Sequence, residues 1–236
     1  MQVSEIYKSL QGESTYFGLP CAFVRLTGCN LRCNWCDSEF SFTGGRKMTI
    51  EEVLAEVSRL SPCGADTPVR AAASLIEITG GEPMLQEREV IPLMEQLVAK
   101  GYRVLLETSG ERPLARVPKQ VVKIVDVKCP HSGEPGTFDI GNLEALQPHD
   151  ELKFVLTGRT DYEFARDFVR TNGLAERVHA ILLSPAFDKT ASGARDTSHC
   201  LLDPQVLAEW ILADDLPVRL SLQIHKLIWD PAAKGV

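Results

Sequence analysis

The sequence predicts an α/β fold, a single-domain partial (β/α)6 barrel. Three observations carry this. Short apolar runs rich in β-branched residues alternate with segments of helical period along the whole chain, the pattern of parallel strands joined by right-handed crossovers. Six such units are too few to close an eight-fold barrel. Glycines and polar residues cluster at the C-terminal ends of the predicted strands, where barrel folds keep their chemistry.

Taken in order, residues 2–14 read as a short strand running into the polar loop Gln11-Gly12-Glu13-Ser14. Pro20 to Thr27 is a buried strand closed by Gly28. Thr49 caps a helix to about Leu60, with Glu52 completing a capping box. Residues 61–73 have loop composition. Ser74 to Thr79 is the second buried strand, and the helix from Gln86 to Lys100 stops at Gly101. Tyr102 to Glu107 and Val121 to Val127 are strands, followed over 131–150 by a loop with a helical turn near Leu143. Glu151 to Leu156 is a strand, and Thr160 with Glu163 suggests a second capping box. Arg177 to Leu183 is a strand, 186–202 a long loop, and Asp203-Pro204 opens a helix to about Ala213. Val218 to Ile224 reads as the last strand, ending at His225-Lys226.

Composition excludes several classes. A formal net charge of −7, from 25 basic and 32 acidic residues, disfavours a general nucleic-acid surface. No apolar run reaches the ~18 residues of a membrane span. The start, Met1 to Glu5, lacks a basic region followed by an apolar one, so no secretory signal is expected. Seven cysteines, an odd number with three of them clustered, argue against a disulfide framework and fit a reducing cytoplasm.

The cluster is Cys29-Asn30-Leu31-Arg32-Cys33-Asn34-Trp35-Cys36. Thiolates at this spacing converge on one soft metal centre. Three rather than four ligands leave one metal position for a non-protein partner, as a cluster delivering an electron to a bound small molecule requires. The plainer alternative is a zinc knuckle completed by Cys63 or Cys129. Gly80-Gly81-Glu82-Pro83 is either a strand-to-helix turn or a close backbone approach to a ligand. Glu107 ends an apolar strand, so it is ion-paired or faces a cavity. Asp126 and Lys128 share a strand face and the same two readings. Arg25, alone in Phe23-Val24-Arg25-Leu26, suits a carboxylate bidentately, whether a protein acid or a ligand. His225 is a lone histidine, and a structural role is the ordinary one.

The cysteine loop, with Trp35 before its last cysteine, resembles the signature of the radical S-adenosylmethionine (SAM) superfamily. Ser9-Leu10-Gln11-Gly12-Glu13, Arg25 four residues before Cys29, Thr79-Gly80-Gly81-Glu82-Pro83, Glu107-Thr108-Ser109-Gly110, Asp126-Val127-Lys128-Cys129-Pro130 and Leu222-Gln223-Ile224-His225-Lys226 narrow the resemblance to the 7-carboxy-7-deazaguanine synthases. It spans nearly the whole chain and implies one radical SAM domain over 1–236, with a modified cluster-binding loop at 28–48.

The resemblance also implies a reaction. A lyase contracts 6-carboxy-5,6,7,8-tetrahydropterin to 7-carboxy-7-deazaguanine with loss of ammonia. SAM on a [4Fe–4S] cluster supplies a 5′-deoxyadenosyl radical that takes the C6 hydrogen and later returns it. The product feeds 7-deazapurine, including queuosine, biosynthesis.

By the same resemblance Cys29, Cys33 and Cys36 ligate the cluster. Trp35, Cys36, Asp37, Gly81, Glu82, Ser109 and the Asp126-Val127-Lys128 segment surround SAM. Leu10, Gln11, Gly12, Glu13, Arg25 and Thr79 hold the pterin, Arg25 through its carboxylate, and Glu107 and His225 complete the pocket as catalytic groups. Ser38, where the family usually has Thr, takes Mg²⁺ through its hydroxyl. Ser14 replaces a frequent Gly, and Asp126-Val127 replaces a frequent Ser-Pro. An electron donor and a homodimer belong to the family picture. The competing readings are a radical SAM activase or peptide-modifying enzyme, and a zinc-binding interaction module.

Overall fold

The computed structural model describes residues 1–62, 75–193 and 195–235. The loop expected over 61–73 lies outside the described residues from position 63 on, as does Cys63.

The strands are β1 (Gln2–Leu10), β2 (Pro20–Leu26), β3 (Arg46–Lys47), β4 (Leu75–Gly80), β5 (Arg103–Thr108), β6 (Val122–Asp126), β7 (Glu151–Leu156), β8 (Ala180–Pro185) and β9 (Arg219–Leu220). The helices are α1 (Ile50–Leu60), α2 (Glu87–Ala99), α3 (Arg159–Thr171), α4 (Pro204–Ala213) and the one-turn α5 (His225–Ile228). All nine strands join one sheet in the order β3-β1-β2-β4-β5-β6-β7-β8-β9. From β2 onward the pairings are parallel. The first strand departs from the all-parallel expectation: β1 pairs antiparallel with both β2 and β3. Only a tight loop separates β1 from β2, and a parallel crossover needs a dozen or more residues.

Side chains alternate across the sheet, as the pleat demands. Ala22, Val24, Ile76, Ile78, Val104, Leu106, Leu152 and Phe154 point outward and pack under the helices with Val53, Val57, Leu93, Leu97, Tyr162 and Leu207. Burying each such side chain contributes about 1.5–3 kcal/mol. The inward residues form two levels. Cys21, Phe23, Leu75, Leu105, Val122 and Ile124 make an apolar plug toward the strand starts. The next inward positions are Arg25, Thr79, Glu107, Asp126 and Lys153, lining a cavity at the strand ends that Glu77, in register with the plug, also reaches.

The Thr49 capping box on α1 forms as expected. The one expected at Thr160 does not. Helix α3 starts at Arg159 behind Gly158, and Asp161 reaches back to accept from the Thr157 amide at 2.9 Å and its hydroxyl at 2.8 Å. The buried Asp161 supplies the carboxylate half of the motif from the third helical position, which leaves Thr160 inside the helix. The strand expected at 177–183 is shifted to 180–185 because Leu174–Glu176 forms a 3-10 turn first. The last strand shrinks to Arg219–Leu220, and its expected continuation serves another purpose. Ser221 Oγ donates to the Glu13 carbonyl at 2.9 Å, and the Ile224 amide donates to the Gly12 carbonyl at 3.0 Å. This strap ties the loop after β9 to the loop after β1 and carries His225 across the mouth of the open barrel.

Candidate active site

A cavity of about 230 Å³ opens at the strand ends. Cys29, Cys33 and Cys36 line one side of it, and Gln11, Glu13, Arg25, Thr79, Glu107 and His225 line the other. The two halves are built differently.

The cysteine half is a loop pinned at several points. Gly28 donates to the Ser41 carbonyl at 2.8 Å and accepts from the Glu82 amide at 2.8 Å. Asn34 docks its amide on the Ser132 carbonyl and its side chain on that of His131, both at 2.8 Å. Arg32 lies over the Phe42 ring at 4.2 Å and donates to the Cys29 carbonyl at 2.8 Å. Gly81 explains its own identity: a Cβ there would strike the Gly28 carbonyl and stand 2.7 Å from the Cys29 Cβ. Burial raises the Cys29 and Cys33 thiols above the ordinary range, each against partial relief, from a Leu31 backbone hydrogen bond at Cys29 and from the Lys128 charge at Cys33. Coordination by a cationic cluster is what would draw those protons off.

Among the described residues no three His, Cys, Asp or Glu side chains already converge on one point. The three thiols nevertheless share one loop and one cavity, and soft sulfur donors in threes fit a cluster with one open iron. Cys129, one of the two cysteines a zinc knuckle could draw on as fourth ligand, is fully buried. It does not line the cavity.

The polar half is a lattice of charges. Lys153 donates to Glu13 Oε2 at 2.9 Å and also pairs closely with Glu107. Thr79 Oγ1 lies 3.5 Å from the second Glu107 oxygen. Gln223 Nε2 donates to Glu13 Oε1 at 3.0 Å, with His225 Nε2 at 3.9 Å from the same oxygen. Burial pushes the Glu13 carboxyl up, but the charges of Lys153, His225 and Lys226 outweigh it and hold it well below the ordinary range. Arg25 donates from Nε to Glu5 at 2.9 Å and from Nη2 to the Tyr7 hydroxyl at 2.9 Å. Nη1 is the guanidinium nitrogen those bonds leave unused.

Between the halves, Asp37 pairs with Lys226 at 2.6 Å, and Ser38 Oγ stands 3.8 Å from Cys36 Sγ. Lys128 pairs with Asp126 at 2.8 Å, which confirms that they share a face. The other Asp126 oxygen is buried with no hydrogen-bond partner. An acceptor left so beside the thiols suits a donor on a bound ligand.

The sequence model of the Radical SAM superfamily matches residues 23–131, which contain the cysteine loop and the Gly80-Gly81-Glu82-Pro83 turn. A 7-carboxy-7-deazaguanine synthase from Koribacter versatilis (strain Ellin345) is 64% identical over 236 residues, covering 100% of both chains. The enzyme of that name from Chlorobaculum tepidum is 38% identical over 240 residues, covering 100% of this chain and 97% of its own. The chain belongs to the 7-carboxy-7-deazaguanine synthase family. The solved structure of QueE from Escherichia coli shares the fold, with a TM-score of 0.69 at 24% identity, covering 94% of this chain and 93% of that one.

As a radical SAM family member the chain uses a [4Fe–4S] cluster and SAM. The residues expected around them divide in two. Trp35, Cys36, Asp37, Ser38, Gly81, Ser109, Asp126 and Lys128 all line the cavity. Glu82 and Val127 do not. The Glu82 carboxylate is buried and accepts from the Met84 amide, the Thr108 hydroxyl, and both the amide and hydroxyl of Ser109 at 2.7–2.9 Å. Four donors use up its lone pairs, so its side chain braces the Ser109 turn from behind. Val127 is buried, its amide bonded to the Lys153 carbonyl at 2.9 Å.

Leu10, Gln11, Gly12, Glu13, Arg25, Thr79, Glu107 and His225, the residues expected on the pterin side, all line the cavity. Gln11 has a different task from the one expected of its side chain. Its Oε1 accepts from the Glu13 and Ser14 amides at 3.0 and 2.9 Å, and its Nε2 donates to Glu77 at 3.1 Å. It shapes the loop. Gly12 is required by packing, since a Cβ there would stand 2.5 Å from His225 Nδ1.

Glu77 and Lys153 were missed in the sequence. Glu77 is a lone charge inside an apolar strand, the same signal that singled out Arg25, and Lys153 shares its otherwise apolar strand with Glu151. Lys226, buried and paired with Asp37, was passed over behind His225.

Proposed function

We propose that this chain converts 6-carboxy-5,6,7,8-tetrahydropterin to 7-carboxy-7-deazaguanine with loss of ammonia, within 7-deazapurine biosynthesis. The observation that supports this most is the junction of three cluster thiols with an ordered polar pocket in one cavity. An activase or peptide-modifying enzyme would need a mouth open to a polypeptide, whereas here the strap from β9 ties across it.

Cys29, Cys33 and Cys36 would hold the cluster, with Gly81, Ser109, Asp126 and Lys128 around SAM. When bound, that pair supplies a 5′-deoxyadenosyl radical. The chain's residues do the rest. Arg25 Nη1 takes the substrate carboxylate, with Glu5 and Tyr7 fixing the guanidinium plane. Glu13 and the backbone of 10–13 read the pterin edge. Glu107 and His225 line the pocket and would be the groups that move protons during ammonia loss. Ser38 Oγ would offer a hard oxygen ligand to Mg²⁺. The reading is of one radical SAM domain over 1–236 with its cluster-binding loop at 28–48, working as a homodimer with an external one-electron donor.

Anaerobic incubation of the iron–sulfur-loaded protein with SAM, a reductant and 6-carboxytetrahydropterin tests it. The expected result is a product with the mass and absorbance of 7-carboxy-7-deazaguanine, with one ammonia per product. SAM cleavage without any deazapurine contradicts it.

A further inference from the structure

Glu77 has no place in the account above, yet it is the most deeply buried acid of the pocket. It sits on β4 one inward step below Thr79, in register with Phe23 of β2 and Leu105 of β5. Only 2% of it is exposed. Its carboxyl accepts from Gln11 Nε2 at 3.1 Å and shares the inward face of the sheet with Glu107, one inward step on along the neighbouring strand. The titratable groups facing it are Tyr7 from β1, Cys21 from β2, Glu13 from the loop after β1 and Glu107 from β5. Lys153 of β7 sits nearer the strand ends, and its two ion pairs go to Glu13 and Glu107, not to Glu77.

Three carboxyl groups around one ammonium, largely out of water, cannot all ionise. The proton falls on the acid without a cation. We propose that Glu77 is a positioning residue that carries a proton at working pH, donates it in a hydrogen bond to Glu107, and accepts from Gln11. It thereby locks the β5 acid and the 11–14 loop, the two walls of the pterin pocket, into one arrangement. Glu107 is then held from three sides, by Lys153, Thr79 and Glu77. Burial, then repulsion from Glu107, pushes the Glu77 carboxyl well above its ordinary range, which agrees with the geometry.

This rests on the pterin reading of the pocket, so its test has one arm that needs no pterin. The sign follows from linkage. An acid whose folded value is raised stabilises fully only below its unfolded value of 4.5, and that stability is lost as pH rises toward the folded value. A neutral Gln escapes the loss. In the cluster-loaded protein, Glu77→Gln is therefore expected to raise Tm relative to wild type by an amount that grows steadily from pH ~5 to pH ~8. A Tm difference that does not change with pH overturns the proposal.

The second arm is kinetic. Glu77→Leu removes the donor and leaves Glu107 and Gln11 short of a partner. Its KM for the pterin is expected to rise about tenfold or more, with reductive cleavage of SAM in the absence of pterin within about twofold of wild type. Glu77→Gln, which keeps both donor and acceptor, is expected to recover most of that loss. Glu77→Gln as impaired as Glu77→Leu overturns the proposal. A pH-dependent Tm difference between Glu77→Gln and wild type, with a wild type that does not turn over the pterin, contradicts the functional reading alone.

Discussion

Lys153 Nζ and Glu13 Oε2 stand 2.9 Å apart, joining the middle of β7 to the loop after β1 across the cavity. The same ammonium reaches Glu107, so one buried cation orders acids from two distant parts of the chain. Lys153→Met would leave two carboxylates uncompensated. Denaturant unfolding should show a loss of about 3 kcal/mol, the low end for a broken buried pair because the cavity admits water. Glu13 adds a pH signature. Its folded value lies below the unfolded one, so its stabilisation is present above the ordinary value of 4.5 and lost as pH falls below it. The wild type should lose stability there more steeply than Lys153→Met.

Gly81 lies against the cysteine loop with no room for a methyl group. Gly81→Ala should keep the far-ultraviolet spectrum but displace the Gly28–Cys29 segment. Iron and sulfide per chain after reconstitution should fall severalfold. Full iron loading would show that the loop has room to shift.

Arg25 holds its plane through Glu5 and Tyr7. Arg25→Ala should weaken pterin binding by about tenfold or more, the loss of a charge-assisted pair, with SAM binding near wild type. Arg25→Lys should recover little, since an ammonium cannot reproduce the planar fork. Parallel titrations with SAM and with the pterin measure both, and equal weakening of the two ligands would remove Arg25 from the substrate carboxylate.

Ser38 stands next to Asp37 and within 3.8 Å of the last cluster thiol. Turnover should require Mg²⁺ in the wild type and in Ser38→Thr, which keeps the hydroxyl. Ser38→Ala should need severalfold more Mg²⁺ for half-maximal rate. Turnover indifferent to added Mg²⁺ and to chelator would remove the metal from the reading.

Gly12 and His225 form a packed pair across the strap. Gly12→Ala should act like His225→Ala, slowing turnover while leaving pterin-free SAM cleavage in place. A Gly12→Ala protein with wild-type kinetics would show that the strap tolerates displacement of His225.

Much of this was legible in the sequence because the alternation of strands is strict. Arg25, Thr79, Glu107 and Asp126 each sit at an inward position near a strand end, and the cysteine spacing named the chemistry without the fold. What escaped follows from pairing that crosses the chain. Lys153 reads as one more charge until β7 is seen opposite the loop after β1. Gln11 and Glu82 look like ligand contacts in sequence, but their donors and acceptors go to amides and hydroxyls that only the tertiary structure brings near. The last strand was overestimated because Leu222-Gln223-Ile224 has strand-like alternation, whereas its hydrogen bonds go to Gly12 and Glu13. Antiparallel β1 follows from a connection too short for a crossover, a constraint already present in the spacing of the first two strands.

The most direct test of the central claim is the number of product molecules formed per SAM consumed, measured anaerobically with excess 6-carboxytetrahydropterin. Because the account returns the substrate's hydrogen to regenerate SAM, it predicts many molecules of 7-carboxy-7-deazaguanine for each SAM lost. One 5′-deoxyadenosine released for every product, or release with no deazapurine at all, would contradict it.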